Sequence, residues 1–313
     1  MKILYITSLG EDYLQDQVLI GLRSLFGSDV VDYPKKDVLY NTCSKASEEL
    51  YGRGFTVWKT LPDIEIDRSE IWRRFCSGEF DLIVFGSIWR RIGIFFFSFF
   101  QKILSRVQTR FIFLDGEDQS VLFIPACLCG VYYKRELVRK PFFNSVKPIN
   151  FSIPSIKIRQ DMAPKDRLFA KHVQCEEVYK IEEVRANCQK SYGFSDEALY
   201  YDDIARSKYA VTMKKAGWDC MRHYEIAANG TVPCFYELDK KTRTCAPHGL
   251  VDMENVVMFR TADELMEKIT HIDNSGAYLR LQQNVLRWAQ KNSCENIAKK
   301  ILNETRIYKG QMC

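Results

Sequence analysis

"SKYAVTMKKAGWDCMRHYEIAANGTVPCF", residues 207–235, contains the parts of one α/β unit in a single short stretch. An apolar segment typical of a buried strand runs into the loop "KKAGW", and a charged helical segment follows. Asn229-Gly230 is a favourable helix end, and the small apolar run after it predicts a second strand. Because ligands of doubly wound domains bind outside the carboxyl ends of strands, the loop lies where a ligand is expected.

The helical segment carries charged residues at three-residue spacing: Asp219, Arg222 and Glu225. Residues at this spacing are neighbours on one helix face, and Asp219 is predicted to be the N-cap. Two interpretations are open. The first is a capped surface helix with an ion pair that contributes about 0.3–0.5 kcal/mol. The second is a ligand site in which Lys214 and Lys215 contact phosphate oxygens and Glu225 accepts hydrogen bonds from a ribose diol.

The same strand and helix alternation occurs in both halves of the chain. In the first half, residues 12–26 have the apolar spacing of a helix between two strand segments. "KPINFSIPSI", residues 147–156, contains two prolines and predicts an extended connector. In the second half, residues 179–194 and the tail from 277 to 308 predict helices. Strands alternating with helices indicate parallel sheets covered by helices on both sides.

We therefore expect two Rossmann-like domains of the α/β class that face each other across a cleft. Residues 1–148 are assigned to the first domain and residues 149–285 to the second domain. Residues 286–313 are assigned to a helical tail that crosses back toward the first domain.

Composition narrows the class of protein. With 313 residues and 46% apolar residues, the chain is long enough for substantial cores, and its net charge of +5 is too small for a chain dominated by nucleic-acid binding. No nucleic-acid partner is expected. Eleven cysteines without a CxxC pair predict reduced thiols rather than a zinc site, which indicates a cytoplasmic protein. No apolar stretch reaches the roughly 18 residues that a membrane span needs.

Residues 88–107, "IWRRIGIFFFSFFQKILSRV", contain five phenylalanines flanked by cations. One interpretation is a crossover helix packed on the sheet. The other is a surface helix that inserts aromatic rings into the interface of an anionic membrane, which would make the protein peripherally membrane-associated.

The stretch quoted first resembles the donor-binding region of GT-B glycosyltransferases. It is most similar to bacterial proteins of the spore-maturation-like and exostosin-like groups, which carry an R-x-x-E helix before G-x-x-P. "YYKREL", residues 132–137, followed by "PINFSIP", residues 148–154, resembles the join between the two domains in that group. The resemblance implies that Glu225 contacts the ribose of a nucleotide sugar and that nearby basic residues contact the pyrophosphate.

Retaining GT-B enzymes often carry two glutamates separated by seven residues, and Glu225 matches the second of them. The first falls at Gly217 in this chain, so retention or inversion at the anomeric carbon stays open. Lys171 and His172, at the end of a predicted strand, are expected to face the diphosphate from the second domain. The complete donor-binding set is Lys171, His172, Lys214, Lys215, Gly217, Asp219, Arg222, Tyr224 and Glu225.

The first half offers candidates for the chemistry. The acidic loop "LDGEDQ" follows a buried strand, and one of Asp115, Glu117 and Asp118 is expected to be the base that takes the acceptor proton. A solvated turn is the alternative, since Asp-Gly is common turn chemistry. Asp115-Gly116-Glu117 has the spacing of a DxD metal motif but only a superficial likeness to it. Gly10, after the first strand, predicts a close backbone approach to the acceptor or the sugar.

The expected function is transfer of a sugar from a nucleotide-sugar donor to a glycan or a lipid-linked acceptor. The resemblance implies a metal-independent reaction and no cofactor beyond the donor substrate. Two alternatives stay open: a nucleotide-sugar epimerase or hydrolase of the same fold, and a catalytically degenerate binding protein, for which Gly217 is the supporting feature.

Overall fold

The computed structural model describes residues 1–90 and 110–305. Most of the phenylalanine-rich segment, residues 91–107, lies outside the described residues, so its membrane interpretation stays a prediction. Within the described ranges, no helix is both long enough and apolar enough to cross a membrane. Free thiols in these ranges are Cys43, Cys127, Cys129, Cys175, Cys188, Cys220, Cys234, Cys245 and Cys294.

The first domain is built on six parallel strands in the order β2-β1-β3-β4-β5-β6. The order reverses between β1 and β3, and such a switch point opens a crevice at the carboxyl ends of the strands. The central strands are buried on both faces, as their continuous apolar runs predict. The strands are β1 Ile3–Ile6, β2 Val30–Tyr33, β3 Leu82–Phe85, β4 Arg110–Asp115, β5 Val131–Lys134 and β6 Val146–Pro148.

Helix α1, Tyr13–Phe26, follows β1 directly and is buried along most of its length. Asp12 is its N-cap: the carboxylate accepts a hydrogen bond of 3.1 Å from the backbone N–H of Gln15. Two short helices complete the described part of this domain, α2 Ile71–Cys76 and α3 Ile124–Cys129. Between β2 and α2 the chain runs through short 3-10 turns, and part of that segment reaches the second domain.

The second domain has four parallel strands in the order β10-β9-β8-β7. The predicted architecture of two parallel α/β sheets is therefore confirmed. The strands are β7 Arg167–Phe169, β8 Ser207–Met213, β9 Val232–Tyr236 and β10 Val257–Phe259. The helices are α4 Glu182–Asn187, α5 Glu197–Ala205, α6 Met221–Ala228 and α7 Ala262–Ser275.

The helix predicted over residues 179–194 is wrong beyond α4. The helix ends because Gln189 leaves it and donates a 2.8 Å hydrogen bond to the carbonyl of Lys171, which forms a short bridge beside β7. The predicted end of α6 is confirmed: Asn229 is the C-cap, and Gly230 follows with φ +62°, a left-handed conformation that favours glycine.

The predicted N-cap of α6 is wrong. Cys220 occupies the N-cap position without a side-chain hydrogen bond. Asp219 instead accepts hydrogen bonds from the backbone N–H of Phe151 and from the hydroxyl of Tyr224. Arg222 donates to the carbonyl of His172. Asp219, Arg222 and Glu225 therefore do not form the capped, ion-paired helix face of the first interpretation.

The C-terminal helices pack back onto the first domain, as predicted. The tail consists of α8 Tyr278–Lys291 and α9 Cys294–Glu304, with Ser293 capping α9. Helix α9 crosses α1 at Gly21, where an added Cβ would lie 2.0 Å from the Cys294 carbonyl oxygen. The two helices therefore approach as closely as their backbones allow.

Gly21→Ala is expected to destabilise the protein by about 1–3 kcal/mol, because α9 must move away from α1 to make room for the methyl group. Urea denaturation followed by circular dichroism measures the change. Gly10→Ala is the matched control, since nothing lies within 4 Å of an added Cβ there. Equal midpoints for the two variants would show that the crossing tolerates a side chain.

Candidate active site

A cleft of about 470 Å³ lies between the two domains. Its first wall comes from the segments after β1, β3 and β4, and its second wall comes from the loop between β8 and α6. The carboxyl ends of both sheets therefore meet at this cleft, where doubly wound domains bind ligands. The lining residues that concern the chemistry are Glu11, Asp12, Arg90, Gly116, Glu117, Asp118, Arg135, Lys215, Gly217, Asp219 and Cys220.

Asp12 is a functional candidate that the sequence analysis missed. Its side chain is only 5% exposed, yet it lines the cleft. Oδ1 caps α1, whereas Oδ2 has no hydrogen-bond partner among the described residues and lies 3.8 Å from Nε of Arg90. Burial raises the pKa of Asp12, and Arg90 opposes that rise. An aspartate between the first strand and an amphipathic helix is the sequence signal that points to this position.

The predicted catalytic loop divides into two parts. Glu117 and Asp118 line the cleft, whereas Asp115 does not. Asp115 is fully buried, with Oδ1 2.8 Å from Nζ of Lys134 and Oδ2 accepting a 3.0 Å hydrogen bond from Trp89. The Asp115 carboxylate is committed to a buried ion pair, which makes it a weaker candidate for the base than Glu117 or Asp118.

Glu117 and Asp118 each pair with an arginine of the cleft. Glu117 lies 2.8 Å from Nε of Arg90, and Asp118 pairs with Arg135. Carboxylate oxygens in such pairs keep lone pairs for further hydrogen-bond donors. This wall therefore suits a ligand rich in hydroxyl groups.

Arg135 joins the two domains at the floor of the cleft. Its Nη1 donates to the carbonyl of Asp219 at 2.6 Å and to Glu136 at 2.8 Å. The Glu136 carboxylate in turn accepts from the backbone N–H of Trp218 at 2.9 Å. An added Cβ on Gly217 would lie 2.5 Å from Glu136 Oε1, so charged groups of the first domain fill the space that a side chain would need.

Of the two predicted phosphate-binding lysines, one lies at the cleft. Lys215 lines the cleft, and the protein atoms around its ammonium group lower the pKa of Lys215 by partial desolvation. Lys214 lies instead over the ring of Trp218, with Nζ 5.4 Å from the ring centroid, and does not line the cleft.

Asp219 and Tyr224 hold the structure together rather than facing a ligand with their polar groups. Asp219 is buried and accepts 2.7 Å and 2.8 Å hydrogen bonds from Phe151 N–H and Tyr224 Oη. The Tyr224 ring is fully buried and stacks on Trp288, with centroids 4.9 Å apart. The Tyr224 hydroxyl donates to Asp219, and the donor contact expected of Tyr224 stays a prediction.

Lys171, His172 and Arg222 lie beside β7 and are not among the lining residues of the cleft. The His172 ring is buried, contacts the Ser191 carbonyl at 3.2 Å and packs edge-on against Tyr192. Burial lowers the pKa of His172 to about 4, so the ring is neutral. Neither Lys171 nor His172 lines this cleft, and the diphosphate contact predicted for them stays a prediction.

Glu225 is buried at the contact between the domains. Its Oε1 accepts a 2.6 Å hydrogen bond from Thr56 of the first domain, and its Oε2 accepts a 2.7 Å bond from Tyr200. Burial raises the pKa of Glu225. Protein hydroxyls hold both oxygens of Glu225, and the ribose contact predicted for it stays a prediction.

Gly10 does not line the cleft, and its approach to an acceptor or a sugar stays a prediction. It is exposed, its carbonyl accepts hydrogen bonds from Ser8 and Lys36, and nothing lies within 4 Å of an added Cβ. Within residues 1–90 and 110–305, no group of three or more His, Cys, Asp or Glu side chains is arranged to hold a metal ion.

No family model and no curated protein matches the sequence. Solved structures are similar along the whole chain. A glycosyltransferase from Rickettsia africae superposes with a TM-score of 0.60 at 9% identity, covering 99% of both chains. HepE of Anabaena, solved with UDP-glucose, gives 0.54 at 10% identity over 97% of this chain and 99% of its own. Sucrose-phosphate synthase of Thermosynechococcus elongatus gives 0.54 at 12% identity over 98% of each.

These similarities extend across both domains and the returning C-terminal helices. They do not test the likeness to the spore-maturation-like and exostosin-like groups, which stays a prediction. Two parallel α/β sheets facing across one cleft, together with whole-chain similarity to such proteins, show that the chain has the GT-B fold.

Proposed function

We propose that this protein is a glycosyltransferase that moves a sugar from a nucleotide-sugar donor to a hydroxyl group of an acceptor. The observation that carries the proposal is the buried Asp12 carboxylate, which lines the interdomain cleft and whose Oδ2 lies 3.8 Å from Nε of Arg90. The UDP-glucose in the structurally similar HepE supports a nucleotide sugar as the donor.

Asp12 acts as the general base in this proposal. Its Oδ2 accepts the proton of the acceptor hydroxyl while that oxygen attacks the anomeric carbon and the bond from that carbon to the diphosphate breaks. Burial raises the pKa of Asp12, which makes the carboxylate a stronger base than an exposed aspartate. A base placed for direct attack by the acceptor favours inversion at the anomeric carbon.

Lys215 and the start of α6 stabilise the leaving diphosphate. Cys220 and Met221 line the cleft at a helix start that has no side-chain cap, so the positive end of the helix dipole faces the ligand. Lys215 adds a full positive charge on the same wall. The carboxylates of Glu117 and Asp118 accept hydrogen bonds from sugar hydroxyls on the facing wall.

Calorimetric titration with UDP, GDP, ADP and CMP tests donor binding. Lys215→Ala is expected to weaken binding of the preferred nucleotide roughly tenfold, because it removes a charge-assisted contact. Lys214→Ala is the matched control and leaves affinity unchanged, since Lys214 contacts Trp218. We expect the same isotherm in EDTA, because Lys215 and α6 hold the diphosphate.

Two results would contradict the proposal. Absence of binding of all four nucleotides at millimolar concentration would remove the donor. Binding of a nucleotide sugar that is consumed equally without any acceptor would instead favour a hydrolase or an epimerase.

A further inference from the structure

The loop of residues 50–59 belongs to the first domain, but one of its side chains is part of the second domain's core. Phe55 is 7% exposed and lies nearly parallel to Tyr200, with ring centroids 6.1 Å apart. The other buried residues of this small cluster all come from the second domain. They are Ala170, Tyr200, Ile204, Ala210 and Ile226.

The next residue makes polar contacts with the same domain. The Thr56 hydroxyl lies 2.6 Å from Oε1 of Glu225 and 2.8 Å from the Tyr201 hydroxyl. Its backbone N–H donates to Glu197 at 2.5 Å. Phe55 thus places an aromatic ring among aromatic side chains, and Thr56 places a hydroxyl on a buried carboxylate. The base and the ribose of a nucleoside make the same two kinds of contact.

The loop adopts a strained backbone to reach this position. Thr56 has φ +73°, and Arg53 and Lys59 have φ +59° and +57°. The left-handed region is unfavourable for a β-branched residue such as threonine, so such conformations persist only where surrounding contacts hold them. The contacts that hold Thr56 are those with the second domain.

The same loop also reaches the cleft. Tyr51 of the same loop lines the cleft, and its backbone N–H donates to Glu11, the neighbour of Asp12, at 2.6 Å. On the second domain, Arg222 lies on α6 between the cleft lysine Lys215 and Glu225. A nucleotide with its diphosphate at Lys215 therefore extends along α6 toward Glu225.

We propose that Phe55 and Thr56 are an internal occupant of the nucleoside site, with the ring in the place of the base and the hydroxyl in the place of a ribose hydroxyl. The inference rests on the proposed function, since it assigns the nucleoside part of the same donor. Donor binding displaces the loop, and the displaced loop releases Glu11 beside the catalytic carboxylate. The apparent affinity for nucleotide is then reduced by the fraction of molecules in which the loop occupies the site.

The test uses the sign of a change in affinity. Phe55→Ala and Thr56→Val are each expected to bind UDP roughly tenfold more tightly than the wild type in calorimetry, because each weakens the competing occupant. Phe142→Ala, at a side chain that is 94% exposed, and Thr270→Val on α7 are matched controls with unchanged affinity. Equal or weaker binding by the two loop variants would overturn the inference while leaving the proposed function standing.

Hydrogen exchange on the wild-type protein gives an answer that does not depend on a variant folding. Saturating UDP is expected to speed exchange of residues 51–57 and to slow exchange in α6. Slower exchange in both segments would show that the loop closes over the nucleotide, and would overturn the inference. Absence of UDP binding by the wild type and all variants would overturn both the inference and a uridine donor.

Discussion

Asp12→Asn is expected to lower the rate of glycosyl transfer by roughly 100-fold or more, the loss typical of removing a general base. The amide has nearly the same shape as the carboxylate, but it accepts no proton. Because no hydrogen bond is described at Oδ2 of Asp12, the substitution changes at that atom only its 3.8 Å ion pair with Arg90. A transfer assay with the preferred nucleotide sugar measures the effect on kcat.

The same substitution is expected to leave stability at pH 7 unchanged or higher. Asparagine is as good an N-cap as aspartate, so α1 keeps its cap. Burial raises the pKa of Asp12 above its ordinary value of 3.8, so the wild type's contribution from this group is full below that value and is lost as pH rises through the folded-state pKa. The uncharged amide removes this dependence. Thermal unfolding between pH 3 and pH 7, roughly spanning these values, measures it.

The raised pKa also predicts the pH dependence of the reaction. Since the base works as the carboxylate, the acidic limb of the kcat profile should lie above 3.8 and disappear in Asp12→Asn. Asp196→Asn is the matched control, because Asp196 caps α5 through Leu199 N–H and does not line the cleft. Full activity in Asp12→Asn would exclude Asp12 as the base.

Arg135→Met is expected to destabilise the protein by about 3–5 kcal/mol, because removing one partner leaves a buried charge uncompensated. Arg135 is 1% exposed and contacts Gly116, Asp118, Glu136 and the Asp219 carbonyl. Methionine fills similar volume but forms none of these bonds. The Glu136 carboxylate then stays buried with only neutral donors.

Urea denaturation of Arg135→Met beside Arg139→Met measures this difference. Arg139 lies in the same segment with an exposed side chain, and surface substitutions usually change stability by less than about 0.5 kcal/mol. If both variants unfold at the same urea concentration, Arg135 does not hold the domains together.

Local patterns predicted much of the fold. The apolar spacing of residues 12–26 predicted α1, and Asn229-Gly230 predicted the end of α6. The loop at residues 214–218 was predicted at a ligand site, and Lys215 lies there. These features depend on neighbours within a few positions of the chain, which a sequence displays directly.

The contacts that local patterns did not predict are those whose partner lies far away in the sequence. The β4–β5 register places Lys134 beside Asp115, which commits that carboxylate to a buried ion pair. Glu225 is held by Thr56, from a first-domain loop that shows no periodic pattern. Nothing local distinguishes a carboxylate that faces a ligand from one that a distant side chain already holds.

The proposed glycosyl transfer depends most directly on where a nucleotide sugar binds. A crystal structure with UDP-glucose at saturating concentration shows this position. We predict the diphosphate beside Lys215 and the first turn of α6, with the anomeric carbon facing Oδ2 of Asp12. UDP-glucose bound outside the interdomain cleft, or with its anomeric carbon on the far side of the cleft from Asp12, would contradict the proposed function.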